Sequence, residues 1–223
     1  MASRGVVYMV WGNIPKAALE RSIASVHAHH PELTARVLEL PAGATLLDKA
    51  KVCELTPFDE TLFLDADTIV LGRLDFGFEK ARRFGLACTI CECPWARRYG
   101  GIRGEIVEYN TGVLFFTAAA KAVFERWREA AATIDSSIVF VRDGDYAKMP
   151  LNDQAGFAKA VEDTGFAPFV LPLNWNFRPK WHKSWYGPIK IWHDYEPPPE
   201  VLLKHNAEQA AADSVIRFSV LRG

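Results

Sequence analysis

The chain has 223 residues, of which 49% are hydrophobic and 24% are charged. These proportions are close to those of globular proteins, so they exclude a disordered or fibrous chain and favour one packed core. The 26 basic and 27 acidic residues leave a formal net charge of -1. Because nucleic-acid-binding proteins usually carry a strongly basic surface, this balance gives no indication of a nucleic-acid partner.

Predicted strands and helices alternate along the chain. In chain order they are a strand at 5–10, a helix at 15–29, a strand at 35–40, a helix at 46–55, a strand at 61–64, a short apolar segment at 69–71, a helix at 76–83, strands at 85–90 and 113–116, and helices at 117–132, 152–163 and 201–212. This alternation favours an α/β sandwich with a mainly parallel sheet. No repeat or low-complexity linker interrupts it, so we predict a single domain over residues 1–223.

The sequence also bears on cellular location. No apolar run reaches the roughly 18–20 residues that a membrane-spanning helix needs. The first apolar stretch ends at Gly12–Pro15 without a small-residue cleavage site, so we expect a strand there and not a signal peptide. Four cysteines without secretory features indicate reduced thiols. We therefore predict a cytoplasmic protein without a transmembrane segment, and peripheral contact with a membrane stays open.

Two aspartates follow the predicted strand at 61–64. This strand is apolar throughout, so we expect it to be buried on both faces, with Asp65 and Asp67 at the carboxyl end, where open α/β sheets bind ligands. Carboxylates there suit a hard divalent cation such as Mg²⁺ or Mn²⁺, which would neutralise charge on a diphosphate. The alternative is that Asp67 and Thr68 cap a turn while Asp65 is merely solvated.

Several segments around this pair carry a family resemblance. In chain order they are KAKVCELTPF at 49–58, TLFLDADT at 61–68, YNTGVLFF at 109–116, NDQ at 152–154, LPLNWN at 171–176 and IWH at 191–193. Together they resemble glycosyltransferase family 8, the group that contains glycogenin and the bacterial lipopolysaccharide galactosyltransferases. The resemblance implies a GT-A fold, which is a Rossmann-like α/β/α sandwich. It also implies transfer of a sugar from a nucleotide-diphosphate sugar, often a UDP-sugar, with retention at the anomeric carbon.

The same resemblance implies a metal and donor site. Asp65 and Asp67, with Ala66 between them, would hold Mn²⁺ or Mg²⁺, and His193 would be the third protein ligand. Lys49 would lie by the phosphates or the sugar of the donor. From the residues alone, His193 could instead form a hydrogen bond at a strand end, and two further histidines compete for the third position, namely His182 and His205.

Catalytic residues are implied as well. Asn110 and Gln154 would lie on the sugar and acceptor side, and Asp153 near the reacting centre. Asp153 could equally cap the helix that it begins. The donor-binding part would span about residues 1–116 and the acceptor side about 117–223. The acceptor, whether glycan, lipid-linked or protein, is left open.

The chain departs from the family pattern directly after His193. The family usually continues with a glycine and then a lysine-proline-tryptophan unit that clamps the diphosphate. Here the sequence is DYEPPP at 194–199, so the phosphate clamp has no assigned residue.

Three further features have two interpretations each. Cys88, Cys91 and Cys93 suggest zinc, but the chain offers no matched second pair, so free thiols are the better interpretation. The segment at 95–103, with three arginines and two glycines, would be a mobile lid or a surface loop. Tryptophans at 175–192 would contact sugars, with nearby cations suiting an acidic acceptor, or they would close a small core or a dimer face.

Two other function classes compete with glycosyl transfer. A non-catalytic nucleotide-sugar or glycan-binding module would keep the fold without turnover. A haloacid-dehalogenase-type phosphatase also places two aspartates after an apolar strand. Its motif, however, has threonine or valine where this chain has Ile69, and the motif usually follows the first strand.

Overall fold

The computed structural model describes residues 2–91, 106–142, 144–211 and 217–221. Its strands are β1 Arg4–Val10, β2 Thr34–Glu39, β3 Glu60–Leu64, β4 Thr68–Val70, β5 Leu86–Ile90, β6 Tyr109–Thr117, β7 Ile138–Arg142, β8 Asp145–Met149, β9 Phe169–Val170, β10 Ser184–Tyr186, β11 Ile191–His193 and β12 Phe218–Val220. Its α-helices are α1 Lys16–His29, α2 Val52–Leu55, α3 Asp75–Phe84, α4 Lys121–Thr133, α5 Asp153–Thr164 and α6 Glu200–Ala211. Short 3-10 helices lie at Leu46–Lys51, Ala118–Ala120 and Leu173–Trp175. Among the described helices, none combines the length and apolarity needed to cross a bilayer.

A six-stranded sheet forms the centre of the molecule. Its strand order is β2-β1-β3-β6-β5-β9. The pairs β1–β2, β1–β3 and β5–β9 are parallel, whereas β6 runs antiparallel to both of its neighbours, β3 and β5. Five strands therefore share one direction, which confirms the prediction of a mainly parallel sheet in a single α/β domain.

Apolar layers cover both faces of this sheet. In β3, Phe63 faces one hydrophobic cluster, while Leu62 and Leu64 face the other, and all three are buried. Helices α4 and α5 contribute to the first cluster, and α1 and α3 contribute to the second. The sheet thus lies between two helical layers, and the strand that leads into Asp65 is buried on both faces, as its apolar sequence predicts.

The predicted helix at 46–55 is wrong in its first half. Residues Leu46–Lys51 form a 3-10 helix, and only Val52–Leu55 are α-helical. The Thr45 hydroxyl accepts a hydrogen bond from the Leu47 amide, and the Asp48 carboxylate accepts one from the Thr45 amide, so a capping box fixes this tight first turn. This 3-10 helix carries Lys49 toward the sheet.

The tryptophan-rich C-terminal part has a small core of its own. This third cluster consists of Ile69, Phe177, Trp185, Ile189, Trp192 and Leu202. Strand β11 pairs antiparallel with β4, which places His193 opposite Thr68. The pairing attaches the C-terminal part to the central sheet directly beside the two aspartates.

A charged group joins β1, β3 and α3 at the other end of β3. The buried Glu60 carboxylate contacts Arg4 at 2.9 Å and Arg82 at 2.6 Å. The hydrogen bond from Arg82 is the main reason that the pKa of Glu60 is lowered, with Arg4 adding to it.

Glu60→Gln is expected to lower the free energy of unfolding at pH 7 by about 1–2 kcal/mol, because the hydrogen bonds to the two arginines weaken. The effect stays this small because Arg82 is half-exposed and solvent screens its charge. A lowered folded-state pKa stabilises the protein above the unfolded-state pKa, and this stabilisation disappears as the pH falls through the folded-state value. Urea unfolding at several pH values checks this. The difference between wild type and variant should shrink below about pH 4.5, and a constant difference would contradict the ion-pair account.

Candidate active site

Asp65, Asp67 and His193 come together at the carboxyl end of β3. The Asp65 amide donates to the Gly112 carbonyl at 2.9 Å, and the Asp65 carbonyl accepts from the Thr68 hydroxyl at 2.8 Å, so a tight turn follows the strand. His193 Nε2 lies 3.3 Å from Asp67 Oδ1 and 3.9 Å from Asp65 Oδ2. One ligand atom from each residue lies within 4.8 Å of the others.

These three side chains fit a divalent cation. Two carboxylates and one imidazole suit Mn²⁺ and Mg²⁺. Ligands at right angles, each ~2.1 Å from one ion, would be ~3.0 Å apart, which is close to the 3.3 Å between His193 and Asp67 and shorter than the 3.9 Å between His193 and Asp65. Burial would raise the pKa of Asp67, but the charge and hydrogen bond of His193 outweigh it and lower the pKa to about 2. Burial raises the pKa of Asp65, although Lys49 opposes this effect.

Lys49 links this trio to Asp153. The Lys49 ammonium lies 2.8 Å from each carboxylate oxygen of Asp65 and 3.2 Å from Asp153 Oδ2. Burial alone would lower the pKa of Lys49, but the charges of Asp153 and Asp65 outweigh it and raise the pKa. Lys51 points elsewhere, because it is largely exposed and pairs with Asp48 at 2.6 Å.

Asp153 is the first residue of α5, which begins beside the trio. Asn152 caps this helix by accepting a hydrogen bond from the Gln154 amide at 2.9 Å. The Asp153 carboxylate accepts from the Thr111 hydroxyl at 2.5 Å, and its carbonyl accepts from the Trp127 indole at 3.0 Å. Asn152 is therefore the residue that caps the helix, and the Asp153 carboxylate contacts Thr111 and Lys49 instead.

A cavity of about 230 Å³ joins these groups. Its lining residues are Leu46, Lys49, Asp65, Asn110, Thr111, Gly112, Met149, Asn152, Asp153, Gln154, Arg178 and His193. Six of the predicted site residues thus line this one cavity, and Asp67 contacts one of them, His193, at 3.3 Å. Cavities of about 460, 490 and 560 Å³ lie elsewhere on the described surface, but neither aspartate of the trio nor His193 lines them.

Gly112 lines the cavity and lies directly against two of the candidate ligands. A Cβ atom at this position would lie 2.4 Å from His193 Cε1, 2.8 Å from Asp65 Oδ2 and 3.1 Å from Asn110 Oδ1. His193 and Asp65, two of the three candidate ligands, therefore occupy the space that a side chain at this position would fill. Only glycine leaves room for the observed arrangement.

The competing histidines lie in other surroundings. His205 Nε2 is 2.6 Å from the Ser219 hydroxyl, and the His182 ring packs 5.6 Å from the Phe177 ring. Within the described residues, neither histidine belongs to a group of possible metal ligands, whereas His193 does.

A second group of possible ligands, His30, Glu32 and Asp75, is already satisfied by other contacts. His30 Nε2 accepts from the Leu74 amide at 2.8 Å. Arg73 contacts Glu32 at 3.1 Å and Asp75 at 2.8 Å, so their charges are neutralised without a cation. We interpret this group as structural.

The tryptophans and cysteines singled out in the sequence lie in different surroundings. Trp181 is exposed, whereas the other tryptophans of the C-terminal part are buried, namely Trp175, Trp185 and Trp192. Cys88 is a buried free thiol, and Cys91 is half-buried. Cys93 and the predicted lid at 95–103 lie outside the described residues.

The sequence alone assigned no role to two polar residues of this site. They are Thr111, which donates a hydrogen bond to Asp153, and Asn176, which contacts His193 Nδ1 at 2.7 Å. Each lies inside a segment that resembles family 8, so the segments indicate the neighbourhood. Their spacing does not reveal which side chain contacts which.

Comparison with known proteins gives the fold a context. No protein-family model and no curated protein sequence matches the chain. Solved structures do match: the glycosyltransferase GlyE of Streptococcus pneumoniae TIGR4 is 15% identical over 96% of this chain, with a TM-score of 0.55. The galactosyltransferase LgtC is 15% identical over 95% of this chain, with a TM-score of 0.55. Mouse xyloside xylosyltransferase 1 is 13% identical over 88% of it, with a TM-score of 0.55.

The fold is that of GT-A glycosyltransferases. The chain spans 61% of the GlyE chain, 97% of the LgtC chain and 99% of the mouse chain. At these identities the likeness concerns the fold, which agrees with the α/β/α sandwich that the sequence predicts.

Proposed function

We propose that the chain is a metal-dependent glycosyltransferase of the family 8 type. It would transfer a sugar from a nucleotide-diphosphate sugar, with UDP-sugars favoured, to a glycan, lipid-linked or protein acceptor, with retention at the anomeric carbon. The observation that carries this proposal is the convergence of Asp65, Asp67 and His193 at the end of β3. LgtC, whose fold the chain shares, was solved with donor and acceptor sugar analogues, which agrees with such chemistry.

The chemistry demands charge stabilisation. When the bond between the anomeric carbon and the diphosphate breaks, the leaving group gains negative charge, and a divalent cation held by the trio would neutralise it. Lys49 keeps Asp65 in place and adds a positive charge at the base of the cavity. The donor half would be formed by residues 1–116, which contain both aspartates, and the acceptor side by 117–223.

Three residues of the cavity wall would contact the reacting sugar or the acceptor. Asp153 would present its charge to the reacting centre, and Gln154 follows it at the start of α5. The Asn110 oxygen already accepts two hydrogen bonds, from Gly112 and Asn176, so Asn110 would offer its amide NH₂ group to the sugar.

Asp153→Asn is expected to reduce kcat by roughly 100-fold, the size of effect seen when one electrostatic contact to a transition state is removed. The amide keeps an oxygen for Thr111 but loses the charge. Because Asp153 is not one of the candidate ligands, Mn²⁺ affinity should change by no more than about 3-fold, well below the ~10-fold or larger loss that follows damage to a metal site. Steady-state kinetics and Mn²⁺ titration together check this.

Asp163→Asn is the matched control for this variant. Asp163 lies at the other end of α5 and pairs with Arg126 and Lys159 at the surface. Its kcat should equal that of wild type. An Asp153→Asn variant with unchanged kcat would remove Asp153 from the reaction.

The altered sequence at 194–199 favours one alternative, a binding module without turnover. Mn²⁺-dependent release of free nucleotide diphosphate supports the enzyme, whereas donor binding without release supports the module. The phosphatase alternative fits the observed fold less well, because Asp65 follows a strand inside a GT-A sheet. A trapped aspartyl-phosphate on Asp65 would restore that alternative.

A thermal-shift screen of nucleotide sugars with Mn²⁺ tests the proposal. A ligand at 100 times its Kd adds about 2.7 kcal/mol of stability, and a protein of this size gains roughly 2–4 °C per kcal/mol, so a true donor should raise the Tm by about 5–10 °C. The shift should require Mn²⁺. An equal shift in EDTA, or no shift with any nucleotide sugar, would contradict metal-dependent donor binding.

A further inference from the structure

A chain of hydrogen bonds runs from the backbone of β6 to the imidazole of His193. The Gly112 amide donates to Asn110 Oδ1 at 2.9 Å. Asn176 Nδ2 donates to the same Asn110 oxygen at 2.8 Å. Asn176 Oδ1 in turn lies 2.7 Å from His193 Nδ1. Asn110 and Asn176 are 4% and 2% exposed, so the surrounding protein, and not water, determines the partners of these groups.

The direction of every bond in this chain is fixed by its first member. A backbone N–H can only donate, so the side-chain atom of Asn110 that faces Gly112 must be its oxygen. An amide oxygen can only accept, so Asn176 must turn its NH₂ group to Asn110. The oxygen of Asn176 then faces His193, which removes the usual ambiguity between the oxygen and nitrogen of a side-chain amide.

The imidazole must therefore donate from Nδ1. Without a cation, a charged ring donates from the other nitrogen, Nε2, to Asp67. In the neutral ring, which is the form that binds a metal ion, Nε2 carries the lone pair. This nitrogen is the one that points at Asp67, 3.3 Å away, and at Asp65, 3.9 Å away. The tautomer selected by the hydrogen bonds is thus the one that can complete a three-ligand metal site.

We propose that Asn176 is a positioning residue for the metal, with Asn110 as its support. Asn176 selects the His193 tautomer that ligates through Nε2 and holds the plane of the ring. This inference rests on the proposed function, since it assumes a cation at the trio. It gives Asn110 a role besides contact with the sugar, because the Asn110 oxygen accepts the hydrogen bond that orients Asn176.

The variants Asn176→Leu and Asn176→Asp separate positioning from packing. Leucine has a similar size but offers no acceptor, so Mn²⁺ affinity should fall by about 10–100-fold, as is typical when an outer hydrogen-bond partner of a ligand is lost. Aspartate keeps an acceptor for Nδ1 but turns a second oxygen, in place of the NH₂ group, toward the Asn110 oxygen. Mn²⁺ affinity should therefore recover only in part and lie clearly above that of the leucine variant. If Asn176 served packing alone, the aspartate variant, with its buried charge, would bind Mn²⁺ no better than the leucine variant.

The affinities are measured by Mn²⁺ electron paramagnetic resonance titration of the full chain, without substrate. Asn206→Leu is the matched control, because Asn206 is another buried asparagine, bonded to the backbone of Ile189 and Leu71 and to no member of the trio. Its Mn²⁺ affinity should equal that of wild type. Circular dichroism verifies that each variant is folded.

A second measurement uses the unaltered sequence and does not depend on the folding of any variant. Nitrogen-15 NMR of the Mg²⁺-loaded protein reports which ring nitrogen of His193 carries the proton, and the His193→Gln spectrum assigns the signal. A proton on Nδ1 supports the proposal, and a proton on Nε2 overturns it. Mn²⁺ binding that is unchanged in Asn176→Leu would overturn the positioning role alone, whereas no Mn²⁺ binding by wild type would overturn the proposed function together with it.

Discussion

Asp67→Asn is expected to lower Mn²⁺ affinity by more than 100-fold, which exceeds the roughly 10–100-fold loss caused by removing an outer partner of a ligand. Asparagine keeps the shape of the side chain and one oxygen but removes one of only two carboxylate charges on the cation. Asp67 lies 3.3 Å from His193, and its pKa of about 2 keeps it ionised at neutral pH. Mn²⁺-dependent release of nucleotide diphosphate should therefore be lost. Mn²⁺ titration and a coupled release assay measure the two effects.

The control for this variant is Asp75→Asn. Asp75 belongs to the second histidine–carboxylate group, whose charges are already paired with Arg73. Neither Mn²⁺ affinity nor nucleotide release should change in this control. Wild-type Mn²⁺ affinity in a folded Asp67→Asn variant would show that the cation binds elsewhere.

Gly112→Ala is expected to remove metal-dependent activity while the chain still folds. The added methyl group would overlap His193 and Asp65 at 2.4 and 2.8 Å, so both candidate ligands must move. Overpacking of this kind costs about 1–3 kcal/mol of stability. The larger effect should be on Mn²⁺ affinity, because the imidazole cannot move without leaving Asn176. We expect a loss of at least 100-fold, comparable with the largest effects of misplaced catalytic groups.

Gly77→Ala is the matched control, because it adds the same methyl group to the core away from the site. Its Cβ would lie 2.6 Å from the ring of Phe115. Urea unfolding should show a similar loss of stability in both variants, and Mn²⁺ titration should show a loss only in Gly112→Ala. Equal Mn²⁺ affinity in the two variants would mean that Gly112 does not shape the metal site.

The position of the aspartates could be predicted from the sequence because it depends on local features. An uninterrupted apolar run at 61–64 indicates a strand buried on both faces. The residues that follow such a strand lie at its carboxyl end, where open α/β sheets bind ligands. Asp65 and Asp67 do emerge there. The single domain and the mainly parallel sheet follow from the same alternation of strands and helices.

The approach of His193 to these aspartates could not be predicted from local pattern. It depends on the pairing of β11 with β4, two three-residue strands that are more than 100 residues apart in the chain. Strands this short carry no periodicity. Only the resemblance to family 8 indicated His193 in place of His182 or His205. The direction of the His193 hydrogen bonds depends on Asn110 and Asn176, which are brought together only by the tertiary fold.

Two departures from the predicted elements have physical causes. The 3-10 helix at Leu46–Lys51 follows from the contact of Asp48 with Thr45, which a pattern of apolar residues does not encode. The hairpin of β7 and β8 was not predicted, although residues 138–141 form an apolar run like that of β3. Val139 and Val141 are exposed, so this run does not mark a strand that is buried on both faces.

The organisation of the site explains why its residues are so far apart in sequence. Lys49 precedes the aspartates, Asp153 begins α5 on the same face of the sheet as the Lys49 segment, and His193 belongs to the C-terminal part. The three elements meet at the carboxyl end of β3, where Lys49 forms ion pairs with Asp65 at 2.8 Å and with Asp153 at 3.2 Å.

Anomalous diffraction from crystals soaked with Mn²⁺ and a nucleotide sugar would examine the central claim most directly. We expect one manganese peak within coordination distance of Asp65, Asp67 and His193 Nε2, with the diphosphate of the donor on its open side. A peak at another group, such as His30 with Glu32 and Asp75, or no peak while the aspartates face away from every cavity, would contradict the account.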